Sequence, residues 1–289
     1  KILSVIGVLA LGARAATQWV YDYSNNGEDW ATSAVPPDDF TGTNRCGETE
    51  NQSPINLLEP LGTYGWAYGE VITKDRDMVE KRYTNPANAA RFDWKDEKLQ
   101  FRIDDSASDQ SFFTSQLAVE LFGAVDSKFR PTAISVHAPS EHTVNGQYYD
   151  LELHIHHRAL SQEEEEDQEV DEAEIIVFFS TDRYDPGVSN AVNATVIDFL
   201  ENIQTDPASE AANAQGVDYG MNLVGFIDVL DFEKKWMYLG SHTTPPCAKY
   251  VVKFVLRQVL PVTPTQLAQV KARFGSREHN SRAIFDVNQ

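Results

Sequence analysis

Five of the seven histidines of this chain lie between Thr132 and Arg158, in T-A-I-S-V-H-A-P-S-E-H-T-V-N-G-Q-Y-Y-D-L-E-L-H-I-H-H-R. Alternation places Ala133, Ser135 and His137 on one face of a first strand, with Ile134 and Val136 on the other. On a second strand Glu152, His154 and His156 share a face, and Leu151, Leu153, Ile155 and His157 the opposite one. If these strands are neighbours, His137, His154 and His156 converge. Three neutral imidazoles with an open fourth position are the usual cradle of a catalytic zinc, and a carboxylate such as Glu152 or Glu141 behind a ligand fixes its tautomer. A lone histidine beside a strand is ordinarily a satisfied core or surface group. Clustering at alternate positions argues for the metal.

The elements that would hold these groups read as follows. Pro139 and the pair Asn145-Gly146 mark the loop between the two histidine strands. Residues 18–49, rich in aromatics, glycine, asparagine and proline, suit an irregular arm pinned by Tyr21, Tyr23 and Trp30. From Trp66 to Ile103, β-rich runs such as A-R-F-D-W and K-L-Q-F-R-I alternate with turn signals. Phe112 to Phe122 reads as another apolar strand. Nine of the twelve residues from Glu163 to Glu174 are acidic, and self-repulsion predicts an exposed loop over 161–174. Ile175 to Ser180 is a buried strand, Asn190 to Ile203 a helix, and Lys235 to Leu239 and Tyr250 to Leu256 further strands. Thr263 caps a last helix, Pro264 to Phe274. No linker or repeat divides residues 16–289, so one mainly β domain is expected.

With 24 basic and 44 acidic residues the net charge is −20, which leaves no basic footprint for nucleic acid. Lys1 to Ala15, a basic start, an apolar middle and then Ala13-Arg14-Ala15, reads as a secretory signal. No apolar run would cross a bilayer as a transmembrane segment of the remaining chain. Two cysteines in an exported, secreted or lumenal chain favour one disulfide, Cys46 to Cys247. It would close a loop of about 200 residues, worth about 4 to 5 kcal/mol in the chain-entropy picture.

The motifs Q-S-P-I-N at 52–56, S-E-H-T-V at 140–144, E-L-H-I-H-H at 152–157, Y-L-G-S-H-T-T-P-P-C at 238–247 and N-S-R at 280–282 stand in one order. Their order and spacing resemble those of α-class carbonic anhydrases, over about Tyr21 to Asn288. The resemblance implies a single domain on a large, twisted, mostly antiparallel sheet with a few short peripheral helices. It also implies a zinc cofactor and reversible hydration of CO2 to bicarbonate. The zinc lowers the pKa of its bound water toward neutrality, an effect for which this family is the reference example. By position, Thr243 would orient the attacking hydroxide and pass a hydrogen bond to Glu141, while Thr244 would stand beside the substrate. Cys46 and Cys247 match a disulfide found in exported members.

Other positions depart from the family pattern. Ser135 stands where the first histidine ligand belongs, and a serine hydroxyl is a poor zinc ligand at neutral pH. Ala133 replaces a glutamine behind the ligand. Asn88 replaces the proton-shuttling histidine and cannot titrate near neutrality. His156 and His242 replace two apolar residues of the CO2 pocket. Three functions are compatible with this pattern: a carbonic-anhydrase-like protein with weakened or lost activity and a binding or structural role toward a protein partner; a slow hydratase or esterase with a zinc site rebuilt from His137, His154 and His156 or, with less geometric support, His242; or an ordinary hydratase tolerant of serine. A cupin-like metal site using His154, His156 and Glu163 is an unrelated alternative, but the Q-S-P-I-N and T-T-P-P motifs have no place in it.

Overall fold

The computed structural model describes residues 19–59, 70–72, 81–83, 91–95, 98–103, 111–160, 170–204, 223–272, 274 and 279–285. Residues 1–15, residues 161–169 of the acidic stretch, and Asn88 lie outside that set. The described strands are β1 (Asn56–Leu57), β2 (Glu70–Ile72), β3 (Lys81–Arg82), β4 (Arg91–Lys95), β5 (Lys98–Arg102), β6 (Phe112–Thr114), β7 (Lys128–His137), β8 (Thr143–Val144), β9 (Gln147–Tyr148), β10 (Leu151–Ala159), β11 (Glu172–Ser180), β12 (Lys235–Ser241) and β13 (Lys249–Pro261). The helices are α1 (Trp30–Ser33), α2 (Gln116–Phe122), α3 (Asn190–Gln204), α4 (Leu223–Asp228) and α5 (Pro264–Ala272).

One ten-stranded sheet runs β2-β12-β13-β11-β10-β7-β5-β4, with β6 joining β3 to β7. The sheet is mixed: β11 pairs with β13 in parallel, while β7, β10 and β11 form antiparallel neighbours. The two histidine strands are therefore adjacent, and the register sets His154 opposite Ser135, Glu152 opposite His137 and His156 opposite Ala133.

Alternation sorts the two faces of this sheet. Ile134, Val136, Leu153, Ile155, Ile175 and Val177 point into a core shared with Val196, Phe199, Leu200, Phe226 and Val270 of the helices. That burial holds the strands in register, because a slip by one residue would turn every one of these side chains to the other face. On that other face, Ile176, Phe178, Trp236, Tyr238 and Val255 form a second apolar cluster, beside which the polar groups of the site gather.

Two expectations change. The run after Phe112 is not one strand: only Phe112–Thr114 is extended, and Gln116–Phe122 is helical. The Ser115 hydroxyl accepts a hydrogen bond from the Ala118 N–H, and Gly123 ends the helix in the left-handed region at φ 70°, a helix start and stop written in adjacent residues. The acidic stretch does not remain a solvated loop to its end, for Glu172 and Glu174 belong to β11 and Glu174 is buried. Pairing with β10 and β13 supplies the backbone partners, and the side-chain partners described below offset the charge.

Candidate functional site

His137, His154 and His156 do face one side of β7 and β10. The His137 and His154 ring centres are 4.9 Å apart, and those of His154 and His156 are 6.0 Å apart. His137 donates through Nδ1 to the Asn280 carbonyl at 2.8 Å. Because a carbonyl only accepts, Nε2 of that neutral ring carries a bare lone pair, and it is buried without a hydrogen-bond partner. Burial holds the His137 pKa below its ordinary value.

His154 is held at both nitrogens. Nε2 donates to Glu152 Oε1 at 2.5 Å, and Nδ1 faces Glu174 Oε2 at 3.0 Å. Burial pushes this imidazole down, but contact with the two carboxylates outweighs that and holds its pKa at about 9. At Ser135, where the resemblance expects an imidazole, Oγ lies 2.8 Å from His156 Nε2. The small Ala133 opposite His156 leaves that ring room to lie over the strand. The three-histidine zinc set thus lacks a donor at Ser135, and the residues present do not fit it. Among the described residues, the groups whose ligand atoms lie within 4.8 Å of one another are His137–Glu141–His154, His142–Glu152–His154 and His154–His156–Glu174. None holds all three of the expected histidines.

Glu174 is the hub of the inner face. Lys253 Nζ donates to its Oε2 at 2.5 Å, His156 Nδ1 lies 3.0 Å from Oε1 and His242 Nδ1 3.3 Å from Oε1. His242 Nε2 contacts Glu172 Oε2. Lys253 and Glu174 are both buried. Burial alone would raise the Glu174 pKa, but Lys253 and then the imidazoles outweigh it and hold the carboxyl well below its ordinary range. Where the resemblance expects an apolar wall, with His156 and His242 as its exceptions, the chain has built a charged one.

Behind the histidines runs a buried hydrogen-bond chain. Glu152 Oε2 accepts from the Glu141 and His142 backbone N–H groups at 2.9 and 2.8 Å, and Oε1 accepts from His142 Nδ1 at 2.7 Å. The Tyr238 hydroxyl lies 2.6 Å from His142 Nε2 and 2.8 Å from the Ser53 hydroxyl. Gly240 is required beside it, since a Cβ there would fall on Ser53 Oγ and the Tyr238 ring.

Thr243 and Thr244 are buried in the loop between β12 and β13, yet the expected hydrogen bond from Thr243 to Glu141 is not made. Glu141 Oε1 instead accepts from the Arg282 backbone N–H at 3.0 Å, and Oε2 has no hydrogen-bond partner. The Cys46–Cys247 disulfide is formed. Glu172, Glu174, Lys253, Asn280 and Tyr238 were given no site role in the sequence expectation, although Tyr238 and Asn280 stand in its motifs. The signal existed: Glu172 and Glu174 sit two apart at the mouth of an apolar run, and Lys253 interrupts Y-V-V-K-F-V-L, an ion inside a strand otherwise built for a core.

No helix among the described residues is long and apolar enough to cross a membrane. The model of the eukaryotic-type carbonic anhydrase family matches residues 37–288. The chain is 26% identical to dioscorin dioA3 of Dioscorea japonica, over 84% of this chain and 74% of that protein. It is also 26% identical to alpha carbonic anhydrase 3 of Arabidopsis thaliana, over 84% and 73%. Among solved structures, the α-carbonic anhydrase of Thermovibrio ammonificans in complex with sulfanilamide superposes with a TM-score of 0.58 at 19% identity, covering 96% of this chain and 97% of that one. A curled sheet of this topology, the motif order and a family match over nearly the whole chain agree: this protein belongs to the eukaryotic-type, α-class carbonic anhydrase family.

Proposed function

We propose that this chain keeps the carbonic anhydrase fold but has lost most or all CO2 hydration, and that it serves in a binding or structural role toward a protein partner. The observation that carries this reading is the Ser135 Oγ–His156 Nε2 contact of 2.8 Å: the place of a metal-binding imidazole is taken by a hydroxyl already engaged with its neighbour. The charged wall supports it. An apolar gas gains nothing from a surface whose ammonium and carboxylates are satisfied by one another, and entering would separate them. Loss of a ligand or of a group that orients one costs on the order of 10 to 100-fold each in metal affinity or activity, and here Ser135, Ala133 and Asn88 depart together. The formed disulfide supports export to an oxidising compartment, secreted or lumenal.

The test is stopped-flow CO2 hydration with zinc supplied. The expected wild-type rate is that of the buffer, and catalysis near the rates of fast family members would overturn the reading. In the variant Ser135→His/His156→Val/His242→Leu/Glu174→Val/Lys253→Leu, which restores the imidazole and clears the charged wall, hydration is expected to rise at least about tenfold. Failure of the wild type to bind a carbonic anhydrase inhibitor, with binding recovered in the variant, would agree with a vacated catalytic centre.

A further inference from the structure

We propose that His154, His156 and Glu174, with His242 alongside, form a displaced divalent-metal site on the β10–β11 wall, distinct in its ligands from a three-histidine centre. The inference does not depend on whether hydratase activity survives.

The argument begins with which atoms can carry hydrogen. Glu152 and Glu172 are carboxylates that accept only, so the Nε2 atoms of His154 and His242 that touch them carry the hydrogen. The Nδ1 atoms of those rings then meet Glu174, again an acceptor, at 3.0 and 3.3 Å. His156 brings a third Nδ1 to the same carboxylate at 3.0 Å. The Ser135 hydroxyl can donate to His156 Nε2, so that ring can donate through Nδ1 to Glu174 while neutral; at His154 and His242, lone pair faces lone pair unless a proton or a metal ion stands between them. Both Glu174 oxygens thus face imidazole nitrogens, Oε2 that of His154 and Oε1 those of His156 and His242, and the ligand atoms converge between them.

Protons are one way to supply the charge. They sit on His154 and His242, each held between two carboxylates at a pKa of about 9, on either side of His156 and around one carboxylate that already holds Lys253. Those like charges repel. A divalent ion in place of the two protons gives the same charge and removes the like-charged rings. With neutral imidazoles, the Lys253 ammonium on Glu174 and the carboxylates of Glu152, Glu172 and Glu174 sum to two negative charges, and one divalent ion cancels both.

The donor set suits a borderline metal. Two imidazoles and a carboxylate are accepted by Zn2+ in hydrolytic centres and by other first-row divalent ions, and the ligand atoms of His154, His156 and Glu174 already lie within 4.8 Å of one another. The outer nitrogens are fixed by Glu152 on His154, Ser135 on His156 and Glu172 on His242, the arrangement that orients imidazoles toward a metal. In this reading Ser135 has not merely lost a ligand. Its hydroxyl positions the replacement.

Dialysis of the full chain against Zn2+, followed by elemental analysis, and titration with Co2+ read by its visible absorption test the site without an activity assay. One equivalent of metal is expected. His156→Asn and His242→Asn should weaken binding at least tenfold with the thermal melt of the metal-free protein little changed, whereas His137→Ala should retain it within a few-fold. Glu174→Gln should abolish binding; because it strands the Lys253 ammonium in the core, Glu174→Gln/Lys253→Met serves as the folded control. Absence of Zn2+ and Co2+ binding by the wild type would overturn the proposal. So would binding that survives His156→Asn and Glu174→Gln/Lys253→Met but disappears in His137→Ala, since the metal would then sit in the family position.

Discussion

Glu152 shows how far one residue can be read. Its carboxylate takes four donors, the Glu141 and His142 N–H groups on Oε2 and the His142 and His154 ring nitrogens on Oε1. Glutamine has the same shape, but its amide nitrogen must sit against donors whichever way it is flipped. Glu152→Gln therefore either sets its amide against the Glu141 and His142 N–H groups or forces the His142 and His154 rings into other tautomers with loss of their charge-assisted bonds, and a loss of about 3 kcal/mol is expected from urea unfolding at unchanged m-value. Glu152→Asp, which keeps the charge and only shortens the reach, should lose less. The role of Glu152 behind a histidine was legible from its alternation with His154. The identity of Glu174 as hub was not, because a run of acidic residues reads as solvated until strand pairing shows which members enter the sheet.

At the scale of elements, the histidine strands, the apolar strand before Ser180 and the capped last helix were legible because each carries a period or a capping pattern. In the last case, Thr263 Oγ1 accepts from the Gln266 N–H at 3.1 Å and Gln266 Oε1 accepts from the Thr263 N–H at 3.0 Å. Helix α2 escaped, although Ser115 and Gly123 frame it, because its seven residues are too few to separate a helical stripe from an apolar run. The joint between β10 and β11 permits a prediction with a sign. Asp150 Oδ2 accepts from the Ser180 hydroxyl at 2.9 Å, the Thr181 N–H at 2.7 Å and the Thr181 hydroxyl at 3.0 Å, tying the start of one strand to the end of the next. Burial pushes its pKa up, but these bonds outweigh that and hold it below the ordinary value of 3.8. A depressed carboxylate stabilises the fold above its unfolded pKa, and that contribution is lost as pH falls through the folded value. Asp150→Ala should thus lower stability by about 1 kcal/mol at pH 7, a figure kept small because the carboxylate is partly exposed. The gap to wild type should narrow as pH falls below the ordinary carboxylate value of 3.8, and equilibrium urea titrations at pH 7 and pH 3 would measure it.

Across the whole molecule, two neighbouring anchors help to fix the irregular arm to the rest of the fold. One is the Cys46–Cys247 disulfide, 201 residues apart in sequence. The other is Arg282, whose buried guanidinium donates to Gln52 Oε1, the Ser53 carbonyl and the Cys46 carbonyl at 3.0, 2.8 and 3.0 Å and lies over the Phe285 ring at 4.4 Å. The cysteine pair was legible from its count, but Arg282 was not, since N-S-R shows nothing of the carbonyls that the arm will turn toward it. Arg282→Met removes a buried cation and leaves those acceptors unpaired, with an expected loss of about 3 kcal/mol. Cys46→Ala/Cys247→Ala frees a loop of about 200 residues in the unfolded chain but leaves the native contacts of the arm largely in place, with an expected loss of about 4 kcal/mol. Both changes act on the segment carrying Cys46: once the disulfide is gone, the Cys46 carbonyl is free to move away from Arg282, so the second loss should be smaller in that background. A double-mutant cycle by chemical denaturation should give a combined loss at least about 0.5 kcal/mol below the sum of the separate ones. Strict additivity would mean that Arg282 and the disulfide anchor the arm independently.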